Sequence, residues 1–325
     1  MPGLCGIIGE ALLTPELNET HNVKVYFKRE SLPFLAVFWQ PAHKDLMNPF
    51  RMLFDAFKRP QPPLPESPPP GASLTLEEYQ SLDPHMSVHE GDIEVVFCTP
   101  NLAAQFRVDT LRSKEPDTIE WIRGFAPGEV LVDIGANVGM YTIWAAKTRG
   151  VRVFAFEPES QNYALLYRNI IRNGLSEQVT GYCLALSDES ACSRLYLSDF
   201  YAGGSCHTFG EQLDHRLEQR HSRYSQGSVS CTLDKLVADG VVPLPDHIKI
   251  DVDGLEHKVL HGCAATLKNP KLKSVLVEIN TNLELHRNII QEMRTLGFGF
   301  SEAQVSSALR SEGAFAGVGN HIFRR

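Results

Sequence analysis

The stretch VLVDIGANVG, residues 130–139, decides the fold. Val130–Ile134 is a short, nearly continuous apolar run that ends in an acid and then a glycine. Runs of that length bounded by glycine read as strands buried on both faces. Gly135 and Gly139 permit a tight turn and a close helix start, and a helix is expected over Val138–Lys147. Outward from this unit the pattern repeats. Strands are expected at Val151–Phe156, Val179–Leu186, His247–Val252 and Ser274–Ile279. Helices are expected at Tyr163–Asn173, closed by Gly174, at Leu255–Leu267 and at Leu283–Leu296. Upstream, Ile93–Cys98 reads as a strand and Pro116 opens a helix to Phe125, proline being tolerated in a first helical turn. Gly297–Phe300 and His321–Arg324 read as a closing pair of strands. Regular alternation with apolar strands gives an α/β, Rossmann-like fold, mostly parallel, with helices on both faces of the sheet.

The rest of the 325-residue chain sets bounds. A hydrophobic fraction of 43% suffices for a core, and the net charge of −8 argues against a nucleic-acid partner. Cys5, Cys98, Cys183, Cys192, Cys206, Cys231 and Cys263 show no CxxC pair and no zinc spacing, as expected for free thiols in a reducing compartment. There is no leader pattern and no apolar run that would span a membrane, so a cytoplasmic protein is expected. The segment RPQPPLPESPPPG, residues 59–71, is too rich in proline for helix or sheet and reads as a linker extending over 60–75. Before it, Leu46, Phe50, Leu53 and Phe57 form a helical apolar stripe within an extension over 1–59. That stripe would pack on the main domain or on a second subunit, which admits a homodimer; with Lys44, Arg51, Lys58 and Arg59 flanking it, it also admits a basic amphipathic helix lying on a membrane surface. The main domain is expected over 76–325.

In an open α/β sheet, ligands sit at the carboxyl ends of the strands, where strand order reverses. Asp133 is such a strand-tip acid, placed to meet the ammonium of a methionine moiety. Gly135 and Ala136 bring backbone close, Asn137 completes the turn, and Gly139 with Tyr141 begins the helix. Glu157, 24 residues after Asp133 and followed by Pro158, has the spacing of an acid that grips ribose hydroxyls. The rival is a nicotinamide-dependent oxidoreductase, whose GxGxxG would require glycine at 137 and 140; Asn137 and Met140 stand there. A DxGxxxG turn suits a ligand without phosphates, so S-adenosylmethionine (SAM) is the cofactor expected. Leu186 and Asp188, after the third strand, are the candidates to read its adenine edge.

With these residues in place the chain resembles the FkbM methyltransferase family. The matching stretches are KEPDTIEW at 114–121, DIGANVG at 133–139, Phe156-Glu157-Pro158, ALSD at 185–188, Thr232-Leu233-Asp234, IKIDVDG at 248–254 and Val277-Glu278. The resemblance spans about residues 95–325. One departure is Asp253, where the family carries glutamate. The resemblance implies a class I methyltransferase with a seven-stranded sheet, transferring a methyl group from SAM to a hydroxyl of a sugar, glycan or natural product; an amine acceptor needs no different cofactor site. An alcohol is a weak nucleophile near neutrality, so a base should stand near the methyl group. Asp251 is the first candidate and Glu278 the second, both at strand ends; His207, in the glycine-rich insert GGSCH at 203–207, is the third. Asp253 reads as a helix cap. No complete metal-ligand set is expected. EQLDHRLEQRHSR, at 211–223, reads as a solvated helix.

Overall fold

The computed structural model describes residues 25–26 and 73–325. The expected stripe at 46–57 lies outside these residues, as does most of the proline-rich segment. Two compact units are distinguished, Met1–Asp83 and Pro84–Arg325, so the second begins eight residues beyond the expected 76. In the first, β1 (Val25–Tyr26) pairs antiparallel with β2 (Ser73–Leu74). The helix α1 (Leu76–Ser81) follows behind a capping box of Thr75 and Glu78.

The second unit opens with a hairpin of β3 (His85–Glu90) and β4 (Ile93–Cys98), then α2 (Leu102–Asp109) and α3 (Pro116–Arg123). The central sheet is built from β5 (Val130–Ile134), β6 (Arg152–Phe156) and β7 (Val179–Tyr182), with α4 (Met140–Arg149) and α5 (Ser160–Arg172) between them. A small second sheet follows: β8 (Ala185–Leu186), β9 (Cys192–Leu197), β10 (Thr208–Phe209) and β11 (Tyr224–Cys231), ordered β10-β9-β11-β8. After α6 (Leu233–Ala238) the chain returns to the central sheet through β12 (His247–Ile250), α7 (Glu256–His261), α8 (Ala264–Lys268) and β13 (Ser274–Asn280). It ends with α9 (Glu284–Thr295), α10 (Glu302–Ala308) and β14 (Val318–Arg324).

The central sheet runs β14-β13-β12-β5-β6-β7, parallel except for β14. From β5 the chain moves to one side, through β6 and β7; later it returns to the other, through β12 and β13. The reversal of strand order therefore falls between β5 and β12, where a ligand is expected. Side chains alternate across the sheet. Val132, Ile134, Ile248, Ile250, Val275 and Val277 fill one core cluster. On the opposite face Leu131 and Leu276 join the cluster around Trp121, Trp144, Ile143 and Leu166. On that same alternation lie Asp133, Lys249 and Glu278, so the carboxyl edge of that face is charged, while below it Leu131 and Leu276 are apolar and His247 and Ser274 are joined by a buried hydrogen bond of 2.7 Å.

Several expectations need correction. Six strands, not seven, make up the central sheet. Residues 297–300 contribute only one bridge, Gly299 to Arg324, because Ser301 already caps α10 with a side-chain bond to Gln304 N. The third strand does not run unbroken to Leu186. Its partner β6 ends at Phe156, opposite Tyr182, and beyond that row the chain leaves to pair with β11 in the second sheet. The stretch 211–223 is turn and irregular backbone, because the Asp214 carboxylate accepts from Arg216 N and Glu218 N and ties a local turn instead of a helix. The expected helix over 255–267 is two short ones, α7 and α8, separated by Gly262-Cys263.

Candidate active site

The turn after β5 is held to the end of β6, since Gly135 N and Ala136 N both donate to Phe156 O (2.9 and 3.0 Å). Gly135 adopts φ +78°, and a Cβ there would stand 1.9 Å from Asp251 O. Only glycine lets the first strand tip and the β12 tip approach so closely. Asn137 is left-handed (φ 51°) and donates its N–H to Glu157 Oε2 at 2.8 Å. Glu157 Oε1 accepts from Glu159 N at 2.9 Å. The second strand-tip acid thus braces the first turn while keeping lone pairs for a ligand. Burial raises its pKa to about 7.

Asp133 is fully buried. Its Oδ2 accepts from Thr142 Oγ1 at 2.5 Å, whereas Oδ1 has no hydrogen-bond partner. Lys249 is its cross-strand neighbour and places Nζ 3.8 Å from that Oδ1 and 3.1 Å from Asp251 Oδ2. Burial works against the ammonium, but Asp251, Asp133 and Glu115 outweigh it and push the lysine pKa up. One row further along, Arg310 Nη2 lies 3.1 Å from Glu278 Oε1, and Glu115 pairs with Lys114 at 3.2 Å. Glu115 is held at about 2 against burial by Lys114, Lys249 and Arg310. Glu278, crowded by Asp251, rises to about 8 through burial. Glu256 does so too, with both carboxylate oxygens accepting backbone N–H groups of the 252–254 turn. Asp251, Glu256 and Glu278 bring one oxygen each within 4.8 Å of one another.

A strap over 199–207 crosses this edge. Gly204 O accepts from Asn137 Nδ2 (2.6 Å) and Asn162 Nδ2 (3.1 Å). Gly203 N donates to Asn162 Oδ1 (2.7 Å), Arg107 Nε donates to Gly203 O (2.8 Å), and Cys206 N donates to Asp253 Oδ2 (2.7 Å). The backbone of Gly203 (φ +91°) passes against Ala103 and Ala104 with no room for a side chain. A pocket of about 460 Å³ is lined by Pro158 and Cys183 and by Cys192, Ser193 and Gln226. It adjoins the tips of β6 and β7.

Asp133, Gly135, Ala136, Asn137, Gly139, Tyr141, Glu157 and Asp251 therefore converge, and Glu278 joins them across β13. Pro158 lines the pocket. Leu186 is buried in the core cluster with Cys231, and Asp188 is exposed and accepts from Ser187 Oγ; neither lines that pocket. His207 Nδ1 accepts from Ser198 N, from which the hydrogen is inferred to sit on Nε2, and burial lowers its pKa to about 4. As folded, it has no free lone pair to act as a base. Sequence reasoning passed over Lys249, Asn162, Arg107 and Arg310. Only Lys249 carried a local signal: a lysine between two isoleucines of a strand, two residues before an acid.

These groups give stability a pH dependence. Glu256 and Glu278, raised from 4.5 to about 8, hold protons in the folded chain that the unfolded chain has released, so stability falls as pH rises towards 8. His207, His247, His257, His286 and His321 are lowered from 6.5, chiefly by burial, so stability also falls as pH drops below 6.5. Thermal unfolding is expected to peak near pH 6.5 and to lose about 5 °C by pH ~8.5. A melting temperature that climbs steadily from pH ~6.5 to ~8.5 contradicts this reading.

The strand order, the antiparallel last strand and the acids at the first two strand tips define the class I SAM-dependent methyltransferase fold. The model of the methyltransferase FkbM domain matches residues 133–300, and the chain belongs to the FkbM methyltransferase family. It is 29% identical over 175 residues to 31-O-demethyl-FK506 methyltransferase FkbM of Streptomyces tacrolimicus, covering 47% of this chain and 66% of that one. It is 28% identical over 197 residues to the hexuronic acid methyltransferase AglP of Haloferax volcanii, covering 58% and 71%. The chain thus spans just under two thirds of the first relative. Among solved structures, it is similar to the precorrin-6y C5,15-methyltransferase of Geobacter metallireducens (13% identity, TM-score 0.37, covering 65% and 86%). It is also similar to M. jannaschii TYW2 in complex with AdoMet (13%, 0.35, covering 75% and 88%). Superposition scores this low establish nothing further about the chain.

Proposed function

We propose that this chain transfers a methyl group from SAM to a hydroxyl oxygen of a sugar, glycan or natural-product acceptor. The observation that carries this reading is the charged row at the carboxyl edge of the sheet: Asp133 with a buried Oδ1 that accepts no hydrogen bond, then Lys249, Asp251 and Glu278, set beside the strand-order reversal. Lys249 Nζ comes no nearer to that oxygen than 3.8 Å, and the α-ammonium of SAM would supply the missing hydrogen-bond donor. Glu157 is the residue proposed to take the ribose hydroxyls, and the pocket at Pro158 and Cys183 to receive the base. The names of the two relatives, a 31-O-demethyl-FK506 methyltransferase and a hexuronic acid methyltransferase, support an oxygen-rich small acceptor. The acidic balance of the chain disfavours nucleic acid. No helix among the described residues is long and apolar enough to cross a membrane.

When bound, SAM supplies a methyl group already activated by its positive sulfur. The chain's own contribution is alignment and proton handling. Asp251 would accept a hydrogen bond from the acceptor hydroxyl and take its proton as the O–CH₃ bond forms and the S–CH₃ bond breaks. Lys249 holds that carboxylate in an ion pair at 3.1 Å. Glu278, held by Arg310, would orient the acceptor. The strap would exclude water once the ligands are in place. Incubating the protein with cell extract and deuteriomethyl-SAM, followed by mass spectrometry, tests the reading: a labelled methyl ether supports it. Binding of a nicotinamide dinucleotide in preference to SAM overturns it.

A narrower prediction concerns Glu157. Glu157→Gln keeps one of the two oxygens that accept from Asn137 N and Glu159 N, turns the other into a donor, and removes the charge that strengthens hydrogen bonds to ribose, worth about 1.5–3 kcal/mol. SAM is expected to bind about 10- to 100-fold more weakly, and the melting temperature to fall by a few degrees for the lost acceptor. Equal affinity for both proteins by calorimetry would show that Glu157 is only a brace.

A further inference from the structure

Lys249 is the one lysine in the central strands whose ammonium is wholly buried beside the candidate site. Three acids face it: Asp251 at 3.1 Å, Asp133 at 3.8 Å and, by its field, Glu115. The Tyr141 ring closes the remaining side, 5.5 Å from Nζ. The placement follows from register: Lys249 pairs with Asp133 across β5 and β12, and Asp251 follows two residues on, on the same alternation. A single cation therefore lies between the acid at the cofactor end and the acid at the reactive end.

We propose that Lys249 is a positioning residue that couples cofactor binding to the reactive carboxylate: its ammonium is shared between Asp133 and Asp251 and moves fully onto Asp251 when a ligand cation takes Asp133. This deepens the methyl-transfer reading and rests on it. Two cations cannot both sit on the buried Oδ1 of Asp133, because like charges repel strongly at low dielectric. The α-ammonium of SAM displaces Lys249 by a small rotation of its flexible stem. The displaced ammonium then fixes the Asp251 carboxylate in one orientation, aimed at the acceptor, so the reactive end is ordered only after the cofactor has arrived. No bond is made or broken in this step.

The tests use the full chain and SAM alone, and so need no acceptor. Lys249→Met keeps the stem and removes the charge, leaving the buried Asp133 and the partly exposed Asp251 uncompensated. It is expected to lower the melting temperature by several degrees, and adding Asp251→Asn is expected to restore at least half of the loss. SAM affinity in Lys249→Met is expected to stay within about threefold or to tighten, since a competing cation is gone, whereas Asp133→Asn weakens SAM at least about 100-fold. Lys249→Arg, which keeps the charge, should retain both properties. A lysine that merely fills space would not show rescue by Asp251→Asn. The proposal is overturned if the double variant melts no higher than Lys249→Met, or if Lys249→Met weakens SAM as much as Asp133→Asn. Should Lys249→Met fail to fold, folding of the double variant supports the pairing, and failure of the double variant overturns it. If wild-type protein binds no SAM, the methyl-transfer reading falls separately, while the melting cycle still reads the Lys249–Asp251 pair.

Discussion

Asp251→Asn is expected to lower methyl transfer by about 10²- to 10⁴-fold, the range over which a positioned proton acceptor contributes, while SAM binding changes little. Asn retains the size and a carbonyl oxygen, so the contact with Lys249 at 3.1 Å survives in a neutral form and the fold is kept. What is lost is the carboxylate's basicity, since an amide oxygen accepts a hydrogen bond but does not take the proton. The effect should therefore fall on turnover and leave the cofactor dissociation constant within about threefold. A variant that turns over at the wild-type rate removes Asp251 from the chemistry and moves attention to Glu278. Parallel loss of SAM binding would instead make Asp251 part of the cofactor site.

Gly135→Ala is expected to be the most damaging single-methyl change near the site. The left-handed backbone at φ +78° costs a side-chain-bearing residue about 1–2 kcal/mol. The new Cβ would meet Asp251 O at 1.9 Å, a collision with backbone that cannot be relieved by a rotamer change. Overpacking of this kind adds about 1–3 kcal/mol. A loss of about 3 kcal/mol corresponds to roughly 6–12 °C in melting temperature for a domain of this size. Forcing β5 and β12 apart also moves Asp133 from Lys249, so SAM affinity should drop with stability. A Gly135→Ala protein with unchanged melting and binding would mean that the two strand tips do not approach as described.

The parts of the fold and site that were legible in the sequence are those whose signal is local. A strand, a DxGxxxG turn and an acid after the next strand lie within about thirty residues, and each reports its own backbone need. Asp133, Gly135 and Glu157 could be picked out for that reason. The charged row was half legible. Asp251 and Glu278 were found as strand ends, but Lys249 was passed over because a lysine usually marks solvent, and only the register with Asp133 reveals that its head group is buried. The strap's partners were illegible: Asn162 is 41 residues from Gly203 and Arg107 is 96, and no pattern in one sequence ties such pairs together. The misread segment 211–223 shows a different limit. Its charges have helical spacing, yet one aspartate at 214 offers the backbone a competing set of hydrogen bonds, and local capping prevails over periodicity.

The strap has a consequence for how such a protein can diversify. On the strap's side, its bonds to Asn137, Asn162, Arg107 and Asp253 are made by main-chain atoms of Gly203, Gly204 and Cys206. The side chains of Phe200 and Ser205, both exposed, take no part in those bonds. What anchors this segment and what it shows to solvent are thus separable. A library randomised at Phe200 and Ser205 is expected to change the outer surface of the segment while every one of those main-chain bonds stays in place.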